Sequence, residues 1–192
     1  MKEDILRRDF TINSFLMNEK GFIFDYMKAY KDLKKKQIKT IGNPYKKLSE
    51  DALRIIRIFY FQSKLNFKIE KKTEKALKEN AFLLKKIKPE QIFKEFQKIL
   101  KQPYFMKAFL SLKNTNAISF LNIGLQKSIL FIIENNWPII NEELFFGLSF
   151  ILDCRIIDYF NFNKKKYLNK YFYFNKKIKL NIFYKKYFLK IN

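Results

Sequence analysis

Histidine is missing from this chain, and cysteine occurs once, at Cys154. Without histidine there can be no Ser-His-Asp triad, no Cys-His dyad, no imidazole proton shuttle and no His-ligated zinc. A single thiol forms neither an internal disulfide nor a thiolate metal site, which fits a reducing, cytoplasmic setting. Long apolar runs are absent too. The longest, Leu144 to Leu152, ends at Asp153 and falls far short of the roughly 20 residues a bilayer span requires, so no membrane partner is expected. The charged opening, Met1 to Arg8, has no secretory leader pattern. Acids are scarce: 18 Asp+Glu stand against 40 Lys+Arg, a net charge of +22.

What is present is a chain of 192 residues, 48% hydrophobic and 18% aromatic. That is too apolar for a disordered basic tail and enough to bury a core in one ordinary domain or two small ones. The charge points to a polyanion, because lysines that neutralise phosphates release counterions. An AT-rich codon bias also enriches Lys, Ile, Asn, Phe and Tyr together, so the lysines alone do not decide. The arginines say more. There are five, and four of them fall in two short segments: Arg7-Arg8 and Arg54 with Arg57. Where lysine has replaced arginine almost everywhere, a surviving arginine marks a need for a planar, bidentate fork.

Residues 10–17 read as a strand, Asn18 to Gly21 as a turn and residues 22–26 as the returning strand. Ala29 to Lys36 reads as a short helical turn, and Gln37 to Ile41 as strand-like. Gly42-Asn43-Pro44 breaks the chain. From Ser49, taken as an N-cap with Glu50 and Asp51 in the first turn, the apolar period becomes helical. Further helices are expected over residues 71–80, with 81–86 as a candidate continuation, and over 89–101, 103–112, 125–135 and 141–160, Pro89 sitting at a first turn where proline is tolerated. The fold class expected is α+β. Residues 1–45 form a small β-rich piece, 46–112 a helical neck and body, and 113–192 a helical, basic and aromatic tail. In the tail, rings alternate with lysines such as Lys164, Lys165, Lys166, Lys176 and Lys177. Rings that stack on bases and lysines that follow phosphates suit single-stranded RNA, while a lysine-covered helix packed on the body has the same composition.

Three segments carry candidate chemistry: Arg7-Arg8-Asp9-Phe10-Thr11-Ile12-Asn13, then Asp25 with Asp32-Leu33, then Glu50-Asp51-Ala52-Leu53-Arg54 with Arg57. A carboxylate and a guanidinium on adjacent helical turns can read the Watson–Crick edge of a base. The same spacing is common on exposed helix faces.

The first and third segments closely resemble the RRDFTxN and EDxxRxxR motifs of the bacterial CCA-adding tRNA nucleotidyltransferases and poly(A) polymerases. Ile41-Gly42-Asn43-Pro44 and Ile87-Lys88-Pro89-Glu90-Gln91 also look like that family, and the resemblance covers roughly residues 4–105. It implies the remnant of a nucleotidyltransferase head followed by a helical neck and body. It implies that Arg8 contacts the triphosphate, that Asn13 lies beside the sugar or phosphate, and that Asp9 is a candidate additional carboxylate near the metal site. Asp51 and Arg54 would choose ATP or CTP by its base, with Arg57 supporting them. The reaction implied is attack of the 3′-hydroxyl of a tRNA or other RNA on an α-phosphate, assisted by Mg²⁺.

The departures from the family are specific. The glycine-rich loop and the DxD pair that holds the metals are not in this sequence. Lys28-Ala29 stands where two glycines are usual, and Tyr60 where a third arginine is usual. The expectation is therefore a chain inactive without a separately encoded N-terminal head. The alternatives are a non-catalytic RNA-binding module and a decaying gene fragment. The lone β-rich piece would leave an unpaired edge and expose Phe10, Ile12 and Phe22.

Overall fold

The computed structural model describes residues 2–137 and 140–152. In chain order these form α1 (Lys2–Arg7), β1 (Leu16–Met17), β2 (Ile23–Phe24), α2 (Ala29–Lys34), β3 (Gln37–Ile38), α3 (Pro44–Glu50), α4 (Leu53–Leu65) and β4 (Lys68–Ile69). Then come α5 (Lys71–Asn80), α6 (Pro89–Leu100), α7 (Phe105–Asn114), α8 (Ile123–Glu134) and α9 (Glu142–Leu152). Three short 3₁₀ segments, Thr11–Asn13, Ala81–Lys86 and Ala117–Phe120, link them. The fold is α+β, as expected.

The helical part follows its apolar spacing. In α6, Ile92, Phe93, Phe96, Ile99 and Leu100 are buried on one face, and Pro89 opens the first turn. Phe96 stacks on Phe145 with ring centroids 6.0 Å apart, and Phe109 lies 5.6 Å from the same ring. This aromatic cluster ties α6, α7 and α9 together, and such pairs contribute about 0.5–1.5 kcal/mol beyond the area they bury. Helix α4 packs between this body and the β-rich part, burying Ile55, Ile56, Ile58 and Phe59. Between α8 and α9 a buried hydroxyl pair, Ser128 Oγ to Ser149 Oγ at 2.7 Å, satisfies two polar groups inside the core.

The β-rich part is thinner than its sequence suggests. β1 and β2 pair antiparallel, Leu16 opposite Phe24, around a turn with Gly21 at φ +81°, so the hairpin is present. Residues 10–17 are not one strand. Asn13 Oδ1 accepts from the Phe10 amide at 3.3 Å and Ser14 Oγ donates to Thr11 O at 2.7 Å. These local side-chain bonds draw the backbone into a 3₁₀ turn instead of a ladder. Phe10 is fully buried, contrary to expectation, because it bridges antiparallel to Thr40 and packs edge-on against Phe61 at 5.3 Å. Ile12 is partly buried, while Phe22 is 64% exposed.

β3 pairs in parallel with β4, Gln37 opposite Lys68. The amides of Lys68 and Glu70 donate to the carbonyls of Lys36 and Ile38 at 2.9 and 3.0 Å. This ladder fastens the β-rich part to the loop after α4. The helix expected from Ser49 begins later. Asn43 caps α3, accepting from the Tyr45 and Lys46 amides at 2.9 and 3.4 Å, with Pro44 in its first turn. Ser49 lies inside α3, the chain breaks at Asp51, and α4 starts at Leu53. Among the described residues no helix is long and apolar enough to cross a membrane. The tail lysines Lys164, Lys165, Lys166, Lys176 and Lys177 lie outside the described residues.

Candidate functional site

The site forms where the Asp9 segment crosses the start of α4. Backbone bonds place it: the Thr11 amide donates to Lys39 O at 2.9 Å, and the Ile41 amide to Asp9 O at 3.1 Å. Asp9 is thereby held, 5% exposed, against the N-terminal turns of α4. Arg54 Nε donates to Asp9 Oδ1 at 2.8 Å. Arg57 Nη1 stands 2.7 Å from Asp9 Oδ2. That second contact is one of opposite charges, off the hydrogen-bond axis, since Oδ2 has no aligned donor. One carboxylate thus holds two guanidinium groups.

Arg54 is fixed further by Nη1, which donates to Lys47 O at 2.7 Å and reaches Glu50 Oε2 at 3.4 Å. Its side chain is 12% exposed. The other terminal nitrogen, Nη2, has no partner among the described residues. Asp51 sits in the break between α3 and α4, where its Oδ1 accepts the Leu53 amide at 3.0 Å. Its role as a helix cap orients the carboxylate and leaves Oδ2 open. The structure thus brings Asp9, Arg54 and Arg57 together, with Asp51 in the break that opens the same helix.

Arg8 and Asn13 occupy the turn that follows. Arg8 Nη1 donates to Asn13 O at 2.8 Å and Phe15 O at 3.1 Å, and Nη2 to Asp4 Oδ2 at 3.1 Å. Arg8 therefore clamps the 3₁₀ turn, with its side chain 33% exposed. Asn13 closes the same turn through its bond from Phe10. Thr11 Oγ1 donates to Asp32 Oδ2 at 2.8 Å, and Asp25 caps α2 by accepting from the Ala29 and Tyr30 amides at 2.7 and 3.0 Å. The two aspartates singled out in the second segment thus build the turn's support. Sequence reasoning missed that Asp9 pairs with Arg54 and Arg57, and that Lys47 lends a carbonyl. No periodicity signals a pair so far apart in the chain.

Next to this site lies an open depression of ≈ 380 Å³ between Leu53 of α4 and the Gln91, Lys94 and Lys98 side of α6. Glu95, 5% exposed, forms part of its wall, and its Oε1 accepts from Lys98 Nζ at 2.6 Å.

The magnesium that the resemblance implies finds no donor set here. Among the described residues no three His, Cys, Asp or Glu side chains group as metal ligands. Asp9, the candidate additional carboxylate, has an arginine against each oxygen. The chemistry of this carboxylate is that of an arginine holder.

Comparison with known proteins places the chain. The Poly A polymerase head domain family matches residues 1–39, and the family described as the probable RNA and SrmB-binding site of polymerase A matches residues 66–126. The CCA-adding enzyme of Streptococcus mutans is 45% identical over 121 residues, 63% of this chain and 30% of that protein. The crystal structure of the Bacillus stearothermophilus CCA-adding enzyme in complex with CTP superposes with a TM-score of 0.73 at 30% identity, covering 85% of this chain and 44% of that one. A tRNA nucleotidyltransferase complexed with a primer tRNA and an incoming ATP analog gives a TM-score of 0.61 at 25% identity, over 88% of this chain and 53% of that one. The chain spans under a third of the length of its curated Streptococcus mutans relative. Motifs, fold and relatives agree that the chain belongs to the family of bacterial CCA-adding tRNA nucleotidyltransferases and poly(A) polymerases.

Proposed function

We propose that this chain is the nucleotide- and RNA-holding part of a template-independent tRNA nucleotidyltransferase, one that extends RNA 3′ ends with CCA or A. The observation that carries the reading is the state of Arg54. Asp9 and the Lys47 carbonyl fix its guanidinium while Nη2 remains open, and Asp51 stands three residues ahead of it, at the start of the same helix. Cytosine and adenine share one feature on their pairing edge: an exocyclic amino donor next to a ring-nitrogen acceptor. A carboxylate beside a guanidinium is the complement of that pair, and guanine and uracil present the opposite order. Because Asp9 pre-orders Arg54, little side-chain freedom is lost when a base binds. Arg57 and Arg8 are candidate contacts to the triphosphate, and Asn13 a candidate contact to the sugar.

Binding alone does not make the bond. The carboxylates that would hold magnesium come, in this reading, from a further part of the head, in the same polypeptide or in a separate one. Residues 1–45 then complete that head, 46–112 read the nucleotide, and 113–192, including Lys164–Lys166 and Lys176–Lys177, run along the RNA. The setting that suits this work is the cytoplasm. That no group of metal donors forms among the described residues fits a second reading, a non-catalytic RNA-binding module.

Incorporation of labelled CTP or ATP into a tRNA lacking its 3′ end separates the two. The chain is assayed alone and with a polypeptide carrying the rest of the head. Incorporation that depends on both the head and Arg54 establishes the enzyme. RNA binding without incorporation in any combination leaves the module.

A further inference from the structure

The candidate base-reading residues lie at the start of α4, but the exposed stripe of the same helix continues past them. Residues three and four apart share a helix face, so Arg57, Tyr60 and Lys64 form one line opposite the buried Ile55, Ile58, Phe59 and Gln62. From Arg57 to Lys64 the helix rises about 10 Å. The Lys64 ammonium lies 6.0 Å from the Tyr60 ring centroid. At the end of the helix Asn66 turns left-handed, φ +57°, and Lys107 of α7 crosses to it, donating to Asn66 O at 2.7 Å and Oδ1 at 2.8 Å. Lys68 follows on β4. None of Lys64, Lys68 and Lys107 has a carboxylate within ion-pair distance among the described residues.

This arrangement is a charge concentrated without an internal partner. The negative end of the α4 dipole offsets it, but that end is worth roughly half an elementary charge against three ammonium groups. Burial and then the Lys68 charge push Lys107 below its ordinary value, which an anion at this spot would reverse. Tyr60 adds something a simple phosphate sink does not need, a half-buried ring beside the Lys64 ammonium.

We propose that the Tyr60–Lys64 part of the stripe, continued by Lys68 and Lys107, is a track for the single-stranded 3′ segment of the RNA. Phosphates sit at the cations and one base stacks on Tyr60. The track leads toward Arg54, so it delivers the RNA end to the nucleotide that Arg54 holds. This inference rests on the RNA-binding reading above.

Fluorescence anisotropy of a labelled 12-nucleotide single-stranded RNA on the full chain tests it. Replacing Lys64 and Lys68 by alanine together is expected to weaken binding severalfold. It also flattens the plot of log affinity against log salt by about 0.7 for each phosphate that is no longer neutralised. Tyr60→Ala is expected to weaken binding by about five- to tenfold, in the range for one stacked base, and Tyr60→Phe to restore it, since stacking does not use the hydroxyl. The control is the charge-matched pair Lys20→Ala with Lys28→Ala, both exposed, in the β1–β2 turn and just before α2. Equal weakening by the two lysine pairs would mean a uniform charge field and overturn the track, as would Tyr60→Ala binding like the parent. A parent chain that binds no RNA at any salt concentration would remove the RNA reading itself, and the track with it.

Discussion

The guanidinium of Arg54 meets the carboxylate of Asp9 at 2.8 Å, although 45 residues separate them in the chain. Both side chains are largely buried, 12% and 6% exposed. The pair joins the two halves of the candidate site, and its loss reaches both stability and binding.

Asp9→Ala leaves two guanidinium groups facing a place made for an anion. Removing one partner of a buried pair costs about 3–5 kcal/mol. The lower end is expected here, because Arg57 is 37% exposed and can turn to water. Urea denaturation measures it. Adding Arg54→Met to Asp9→Ala is expected to cost less than the sum of the single changes, since no unpaired charge then remains at that contact.

Arg54→Lys keeps the charge but gives up the fork. A lysine ammonium has three donors but no planar fork, so it cannot hold Asp9 and a base edge in one fixed, coplanar geometry. Hydrogen bonds to charged groups contribute about 1.5–3 kcal/mol, so CTP and ATP affinities are expected to fall at least tenfold. Titration calorimetry reads both nucleotides. Unchanged affinities would show that Arg54 does not read the base.

Glu70 links pH to stability at the start of α5. Burial raises its pKa, but the amides of Thr73 and Lys72 and the Thr73 hydroxyl outweigh that and hold it below the ordinary 4.5. The charged form is therefore the one favoured by the fold. Its contribution is complete above the ordinary value and is lost as pH falls through the lowered one. Glu70→Gln is expected to cost about 1 kcal/mol at neutral pH through the weakened cap. It should also flatten the fall of the thermal midpoint on acidification, which scanning calorimetry across the acid range will show.

The β1–β2 hairpin exposes Met17, Phe22 and Ile23 at 72%, 64% and 67%. Ile23→Lys is expected to change stability by less than about 0.5 kcal/mol, as a surface substitution does. It should lower self-association at high protein concentration, since charge blunts an apolar strand edge. Static light scattering and the thermal midpoint together check both parts.

Local signals were legible where the physics is local. Pro89 and the spacing of Ile92, Phe93, Phe96 and Ile99 mark α6, and Gly21 marks the hairpin turn. The break at Asn43-Pro44 was visible as a stop, yet it is also a start: Asn43 caps α3 with its side chain. The start of α4 was read too early because Ser49 and Asp51 are both good caps, and only the fold shows that Asp51 is the one used. The strand expected over residues 10–17 failed because Asn13 and Ser14 compete for the backbone. The motif residues stood out in the sequence, but their geometry did not. That Asp9 anchors Arg54 and Arg57 depends on the β3–β4 ladder and on the burial of Phe10, which no window of sequence contains.

The pairing of Asp9 with Arg54 also orders events during synthesis. Asp9 leaves the ribosome first, and its carboxylate has no cation to meet until the start of α4 follows. Burying it before then would leave an unpaired charge in the core, a cost of several kcal/mol. The amino-terminal segment must therefore wait, hydrated, until α4 has emerged and folded, and only then close down upon it.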